Sequence, residues 1–301
     1  MYMPDKQVVG IVYAVDGWAG HMRKDLLQDA NGGKYPATWD EFNTIAPKLN
    51  KPPALHAYGM SVGHEGDHFN NIITAVWGYG GAIANDKGEP AFNSPETIEA
   101  IKMIKHQYVD LKIIPSEGWA APDTSYNNQL YQKKSAAFII NPTSVYGWLQ
   151  VNDKDLLGMT SLYAPPAGPK GSFSEAGVWP WGVMKKSKHV DDAKDAIKTF
   201  MQIDTYSKVL NAVLGRWVPV YKGMLNTDFW QKSEFSQMAK IALSGRTRAY
   251  PFGAASWRDD VENRFVLSDM LHKVVVENMA VEDAVAWAQT ECQTSFKKMG
   301  I

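Results

Sequence analysis

A single cysteine, Cys292, in 301 residues excludes an intrachain disulfide, a cysteine-rich zinc cluster and a Cys-x-x-Cys redox pair. Net charge is nearly absent as well, 31 Lys+Arg standing against 32 Asp+Glu with no basic run. Neutralising phosphates needs a concentrated cationic surface, so nucleic acid is not an expected partner. No apolar stretch nears the ~18–20 residues that span a bilayer, and Ala136-Ala137-Phe138-Ile139-Ile140 soon ends in polar residues. The opening Met1-Tyr2-Met3-Pro4-Asp5-Lys6 lacks the basic head and apolar run of a secretory signal, which reads either as a cytoplasmic protein or as one whose true beginning is missing. There is no Walker loop, no G-x-G-x-x-G opening a helix and no EF-hand loop, and no cofactor is expected.

Aromatic residues are plentiful: 11 Trp, 13 Tyr and 11 Phe. Trp18, Trp119, Trp179, Trp181, Trp217 and Trp257 fall in loop-like surroundings rather than in apolar periodic runs. A flat ring with a polar edge, placed in a loop, suits stacking on the apolar face of a sugar. Any one of these rings can equally cap a core; the group reads as a binding surface.

Hydrophobic patterning alternates strands with helices, which gives an α/β class with substantial extra helix. Gln7 to Val15 reads as a strand entering a loop at Asp16-Gly17-Trp18. Thr38-Trp39-Asp40-Glu41 is a capping box that starts a helix strained or ended near Pro47, and Ser94-Pro95 opens a second. Asn70 to Val76 reads as helix, and Ala136 to Ile140 and Met159 to Tyr163 as strands. Pro165 to Gly171 is the strongest linker signal and marks a domain crossing. Val178 to Met184 is the next strand, His189 to Ile203 and Thr205 to Leu214 are paired helices, one long helix carries Val261, Phe265, Met270 and Val274, and the terminal helix places Cys292 on its core stripe.

Two catalytic patterns share one loop. His64-Glu65-Gly66-Asp67-His68 matches H-E-x-x-H, in which two imidazoles one helical turn apart bind zinc while the Glu activates water. The chemistry requires a helix, whereas Gly59, Gly63 and Gly66 favour a loop. Gly59-Met60-Ser61-Val62-Gly63 matches the turn that exposes a nucleophilic serine, yet no helix signal follows at once. A zinc-dependent hydrolase using His64, Glu65 and His68 stays as the alternative reading. A pair of carboxylates for glycoside hydrolysis also stays open, because their separation is a three-dimensional property; Asp259-Asp260 and Asp191-Asp192 read as solvated helix positions.

From Val9 onward the order of features resembles the extracellular solute-binding proteins of sugar ABC transporters, the maltose-binding-protein-like family. The resemblance rests on Gly10-Ile11-Val12-Tyr13, Arg23-Lys24-Asp25-Leu26-Leu27, Pro36 to Phe42, Gly80-Gly81, Ala91-Phe92-Asn93-Ser94-Pro95-Glu96, Lys134 to Phe138, Pro165 to Gly171, Gly177 to Val183, Ser187-Lys188-His189 and Arg216 to Val220. It implies an α/β, periplasmic-binding-protein-like (type II) two-lobe architecture whose cleft closes on a carbohydrate. Family members carry roughly a domain-sized fraction of the first lobe before the strand that Val9 resembles, so most of the first lobe is expected to be missing here. On that mapping residues 1–165 are the first segment of the second lobe, 172–232 a remnant of the first lobe, and 233–301 the C-terminal helical segment of the second lobe.

By motif order the resemblance places Asp16 and Trp18, then Asp67, His68, Asn70 and Asn71, then Asn141, Ser144 and Tyr146 in loops facing the ligand. Trp179, Trp181, Arg216 and Trp217 would face them from the remnant, and Trp257 falls near a ligand-stacking aromatic of the family. It further implies a non-catalytic monomer without a cofactor or metal, which takes a mono- or oligosaccharide to a membrane permease. Its location would be periplasmic or extracellular and membrane-associated.

Overall fold

The computed structural model describes residues 9–120, 125–252 and 255–299. Gln7 and Val8 of the expected first strand, like the opening segment Met1 to Lys6, lie outside them. One long strand organises the fold. β1 (Ile11–Arg23) pairs through Trp18–Arg23 with β3 (Ala136–Pro142) and β4 (Thr160–Tyr163), while its earlier half pairs with β5 (Ala176–Trp181) and β6 (Val218–Pro219). All these pairings are antiparallel, and β2 (His56–Tyr58) adds to β3 in parallel.

The expected loop at Asp16-Gly17-Trp18 is therefore strand. The backbone runs straight from one set of partners to the next, and Gly17 is what lets it pass the helix Ser233–Leu243, since a Cβ there would lie 2.7 Å from Ala242 Cα. Trp18 is consequently 4% exposed and packed in a core.

Among the described residues three apolar clusters surround this strand. The largest gathers β2, much of β3 and the helices Trp39–Leu49, His68–Tyr79, Pro95–Lys105, Val266–Val275 and Val281–Lys298. A second joins Tyr13, Ala14 and Ala19 of β1 to Tyr146, Leu162, Tyr206, Leu210, Trp230 and Met238. A third, under the helix Ser144–Asn152, holds Tyr131, Ile139, Val145 and Leu149. The helix Ser233–Leu243 gives Phe235, Met238 and Ile241 to the second cluster, because its apolar stripe lies along β1.

Local signals in the sequence act as chemistry requires. The Thr38 hydroxyl accepts from Glu41 N and Glu41 reaches back to Ala37 N, while Ser94 caps Pro95–Lys105 by accepting from Thr97 N. Pro47 sits inside its helix without ending it. The long helix expected through Phe265 is instead two, Ser256–Asn263 and Val266–Val275, broken where Phe265 takes φ 56°. Pro165 to Gly171 is no free linker: Ala167 exchanges backbone hydrogen bonds with Ala37 and Trp39, and Lys170 N donates to Gly78 O.

β5 and the helix Val190–Phe200 remain thinly covered. Val178, Trp179 and Trp181 are exposed, and that helix buries no residue although Ala193, Ile197 and Phe200 line one side. Cys292 is fully buried in the largest cluster, and burial pushes its thiol up to about 12. A thiol reagent is therefore expected to leave the native protein unlabelled and to titrate one group per chain in denaturant; rapid labelling of native protein would contradict this packing.

Candidate functional site: a cleft where β1 changes partners

An open cavity of about 1230 Å³ lies beside the middle of β1. Its walls come from both sides of the strand: Asp67, Asn141, Ser144 and Trp148 on one, Gly177, Val178, Trp179 and Arg216 on the other, with Thr247 to Ala249 and Ala255, Ser256, Arg258 and Asp259 along an edge.

Asp16 is the centre of the polar floor. Its carboxylate is 4% exposed, and burial raises its pKa against the opposing pull of the Trp179 hydrogen bond, Arg216 and Arg248. Trp179 Nε1 donates to Asp16 Oδ2 at 3.0 Å, so one buried oxygen sets the direction of a half-open indole. Glycine at 177 is what admits this carboxylate, because a Cβ there would lie 2.1 Å from Asp16 Oδ1.

Asp67 ends the loop before the helix His68–Tyr79 and accepts from Asn141 Nδ2 at 2.9 Å, while Asn141 also donates to Asn128. Burial pushes the Asp67 carboxyl up to about 6. Glu175 is 2% exposed and raised to about 7 by burial, despite the Arg248 Nε hydrogen bond at 2.6 Å. Arg248 also grips both oxygens of Glu262, at 2.7 and 2.8 Å, and Arg258 joins Glu262 to Asp259.

The two guanidinium groups of this edge are thus engaged by three carboxylates. Arg216 makes no ion pair among the described residues and lies over the Trp217 ring at 5.5 Å. Two acceptors on cleft-lining side chains, Asn141 Oδ1 and Glu175 Oε2, lack a hydrogen-bond partner among the described residues. Carboxylates, amides and guanidinium groups beside flat rings suit a ligand that is polar at its rim and apolar on its faces.

Seven residues singled out from sequence line this cavity: Asp16, Trp18, Asp67, Asn141, Ser144, Trp179 and Arg216. The other seven do not. His68, Asn70 and Asn71 are buried in the first helical turn, where Asn71 accepts from Tyr58 OH and donates to Asp67 O; the helix begins at His68, so the expected polar loop ends one residue earlier, at Asp67. Tyr146 packs in the second cluster. Trp181 stacks on Tyr13 with ring centres 4.9 Å apart, and Trp217 lies behind Trp179 at 6.0 Å. Trp257 is fully buried, its Nε1 donating to Gly88 O at 2.8 Å, because the inward stripe of Ser256–Asn263 carries it with Val261 into the core.

Sequence reasoning missed Trp148, Glu175, Arg248, Arg258 and Asp259 as cleft residues. Trp148 lies two residues beyond the Ser144 to Tyr146 segment that motif order placed at the ligand, and the structure makes that segment a helix, Ser144–Asn152; the Arg248 partners are 73 and 14 residues away, a separation no local motif reports.

The two catalytic motifs do not assemble. His64 precedes the helix, pairs with Asp269 at 2.6 Å and stacks on Phe265, whereas the His68 ring is buried with Nδ1 2.5 Å from Glu65 O. Among the described residues no group of three His, Cys, Asp or Glu could hold a metal ion. Ser61 is fully buried, out of reach of a substrate. Glu65, which H-E-x-x-H would make a general base, is 2% exposed and pushed up to about 8, first by burial and then by Asp67.

A raised carboxyl favours the folded state while protonated, and that contribution is lost as pH climbs through about 8. The loss begins above the ordinary carboxyl value of 4.5, so Glu65→Gln is expected to leave the melting temperature near wild type at pH 4 and to raise it relative to wild type at pH 9. Equal effects at both pH values would show that Glu65 is not buried as described.

The family model of bacterial extracellular solute-binding proteins matches residues 1–236. The chain belongs to that family. Its members are binding proteins, and the fold of this solute-binding protein is that of type II periplasmic binding proteins. The chain is similar to maltose-bound MalE3 of T. maritima, with a TM-score of 0.82 at 18% identity over 97% of this chain and 76% of the other. A solute-binding protein of Thermotoga lettingae bound with α-D-tagatose gives 0.84 at 18% identity, covering 97% and 74%. A probable ABC transporter-binding protein of Deinococcus radiodurans is 24% identical over 205 residues, 64% of this chain and 47% of its own length. This solute-binding protein thus spans about half of the curated relative it matches. Among its described residues no helix is long and apolar enough to cross a membrane.

Proposed function

We propose that the protein is a carbohydrate receptor, which captures a neutral sugar in the cleft beside β1 and delivers it to the permease of an ABC transporter. The observation that carries this reading is the Trp179–Asp16 pair: an indole half open to the cavity, aimed by a buried carboxylate that also lies in the fields of Arg216 and Arg248. A sugar presents CH groups to the ring and hydroxyls to the Asp, Asn and Arg groups around it. Solved relatives bound with maltose, tagatose and ribitol support the same ligand class.

On this reading the protein is non-catalytic, needs no cofactor, acts as a monomer and works outside the cytoplasm at the membrane surface. Residues 1–165 and 233–301 form one lobe and 172–232 belong to the other. Calorimetric titration with neutral mono- and oligosaccharides is expected to give saturable one-to-one binding by at least one sugar; no response across glucose, galactose, mannose and xylose, their oligomers and the corresponding polyols would overturn the proposal.

A further inference from the structure

Trp148 stands apart from the other cleft rings. It lines the cavity and is 39% exposed, and its indole enters no aromatic pair, cation contact or hydrogen bond among the described residues. Trp179, by contrast, is tied to Asp16 and leans on Trp217, and Trp18 is buried in a core. An apolar surface of that size left open on a cleft wall awaits a flat partner.

Its mounting is rigid. The helix Ser144–Asn152 sinks Val145 and Leu149 into the third cluster and Tyr146 into the second. Thr143 Oγ1 donates to Gly215 O at 2.9 Å and Gln150 Nε2 to Leu214 O at 2.7 Å, which ties this helix to the loop that carries Arg216. A stiffly held tryptophan binds with little loss of conformational freedom. The cavity, about 1230 Å³, also exceeds the ~300–1,000 Å³ usual for a small-molecule site.

We propose that Trp148 is a second stacking platform, and that the ligand for which the cleft is shaped carries at least two sugar rings, one oriented by Trp179 and Asp16 and another resting on Trp148. This rests on the carbohydrate reading and narrows it to oligosaccharides.

The test compares wild type with Trp148→Ala, Trp148→Leu and Trp148→Phe by calorimetry against glucose, galactose, mannose and xylose, each as the single sugar and as its linear di- and trisaccharides. Wild type is expected to bind the oligomers of one series at least tenfold more tightly than its single sugar. Trp148→Ala and Trp148→Leu are expected to shrink that gap below about threefold by weakening the linked sugars more than the single sugar, and Trp148→Phe, which keeps a flat face, to restore most of it. Should alanine cost the fold, leucine preserves apolar bulk and decides alone. A single sugar held as tightly as its oligomers, or an equal weakening of single and linked sugars in the leucine variant, overturns the platform and leaves the receptor reading standing. Wild type that binds no sugar of any series removes both.

Discussion

Asp16→Ala is expected to weaken carbohydrate binding by about 1.5–3 kcal/mol, roughly 10- to 150-fold, without weakening the fold. Two losses combine. The ligand loses a charged acceptor, and Trp179 loses the oxygen that fixes its Nε1 at 3.0 Å. The stability side runs the other way, because burial already raises the Asp16 pKa and so opposes the ionised form in the folded protein. Removing a group held for binding at a cost to folding should leave the urea midpoint unchanged or higher. Asp16→Asn keeps an acceptor and is expected to recover a substantial part of the affinity. Calorimetry beside urea titration of both variants decides the matter; an Asp16→Ala protein that binds as wild type would remove Asp16 from the site.

Arg248→Met carries the largest expected effect on stability, about 3–5 kcal/mol above pH 8. Glu175 is 2% exposed and Arg248 is its ion-pair partner, so the substitution strands a buried carboxylate. Glu262 suffers less, since Arg258 still reaches it. The sign with pH follows from the raised Glu175 carboxyl, which sits at about 7 even with Arg248 in place and moves higher without it. A folded state that holds its proton more tightly than the unfolded chain loses stability as pH rises. The destabilisation should accordingly shrink toward pH 5.5, and the double variant Arg248→Met with Glu175→Gln should regain most of the loss at pH 8. A deficit independent of pH would mean that Arg248 acts by packing alone.

Helix caps and strands were legible in the sequence because their signals are local: a hydroxyl three residues before a free amide, an apolar run such as Ala136 to Ile140. The cleft was legible where residues follow one another along β1, β3 and β5, which is why Asp16, Asn141 and Trp179 meet there. It was illegible where one residue of register decides orientation. Trp257 and Trp179 look alike in composition, yet one faces inward from a helix and the other outward from a thinly covered strand. Arg248 and its carboxylates were invisible because the pairing joins three distant segments. H-E-x-x-H matched for the converse reason: spacing is local, but convergence of the imidazoles needs a helix, and as the flanking glycines indicated the helix begins only at His68.

The most direct measurement is the two-dimensional NMR spectrum of the indole N–H groups during titration with the tightest-binding sugar, the Trp179, Trp148 and Trp257 signals assigned by single phenylalanine substitutions. Saturable shifts of Trp179 and Trp148, with the buried Trp257 signal held in place, are the result this account predicts. A sugar that moves Trp257 or other buried indoles while leaving Trp179 and Trp148 unmoved would contradict it, and would place the ligand outside the cleft beside β1.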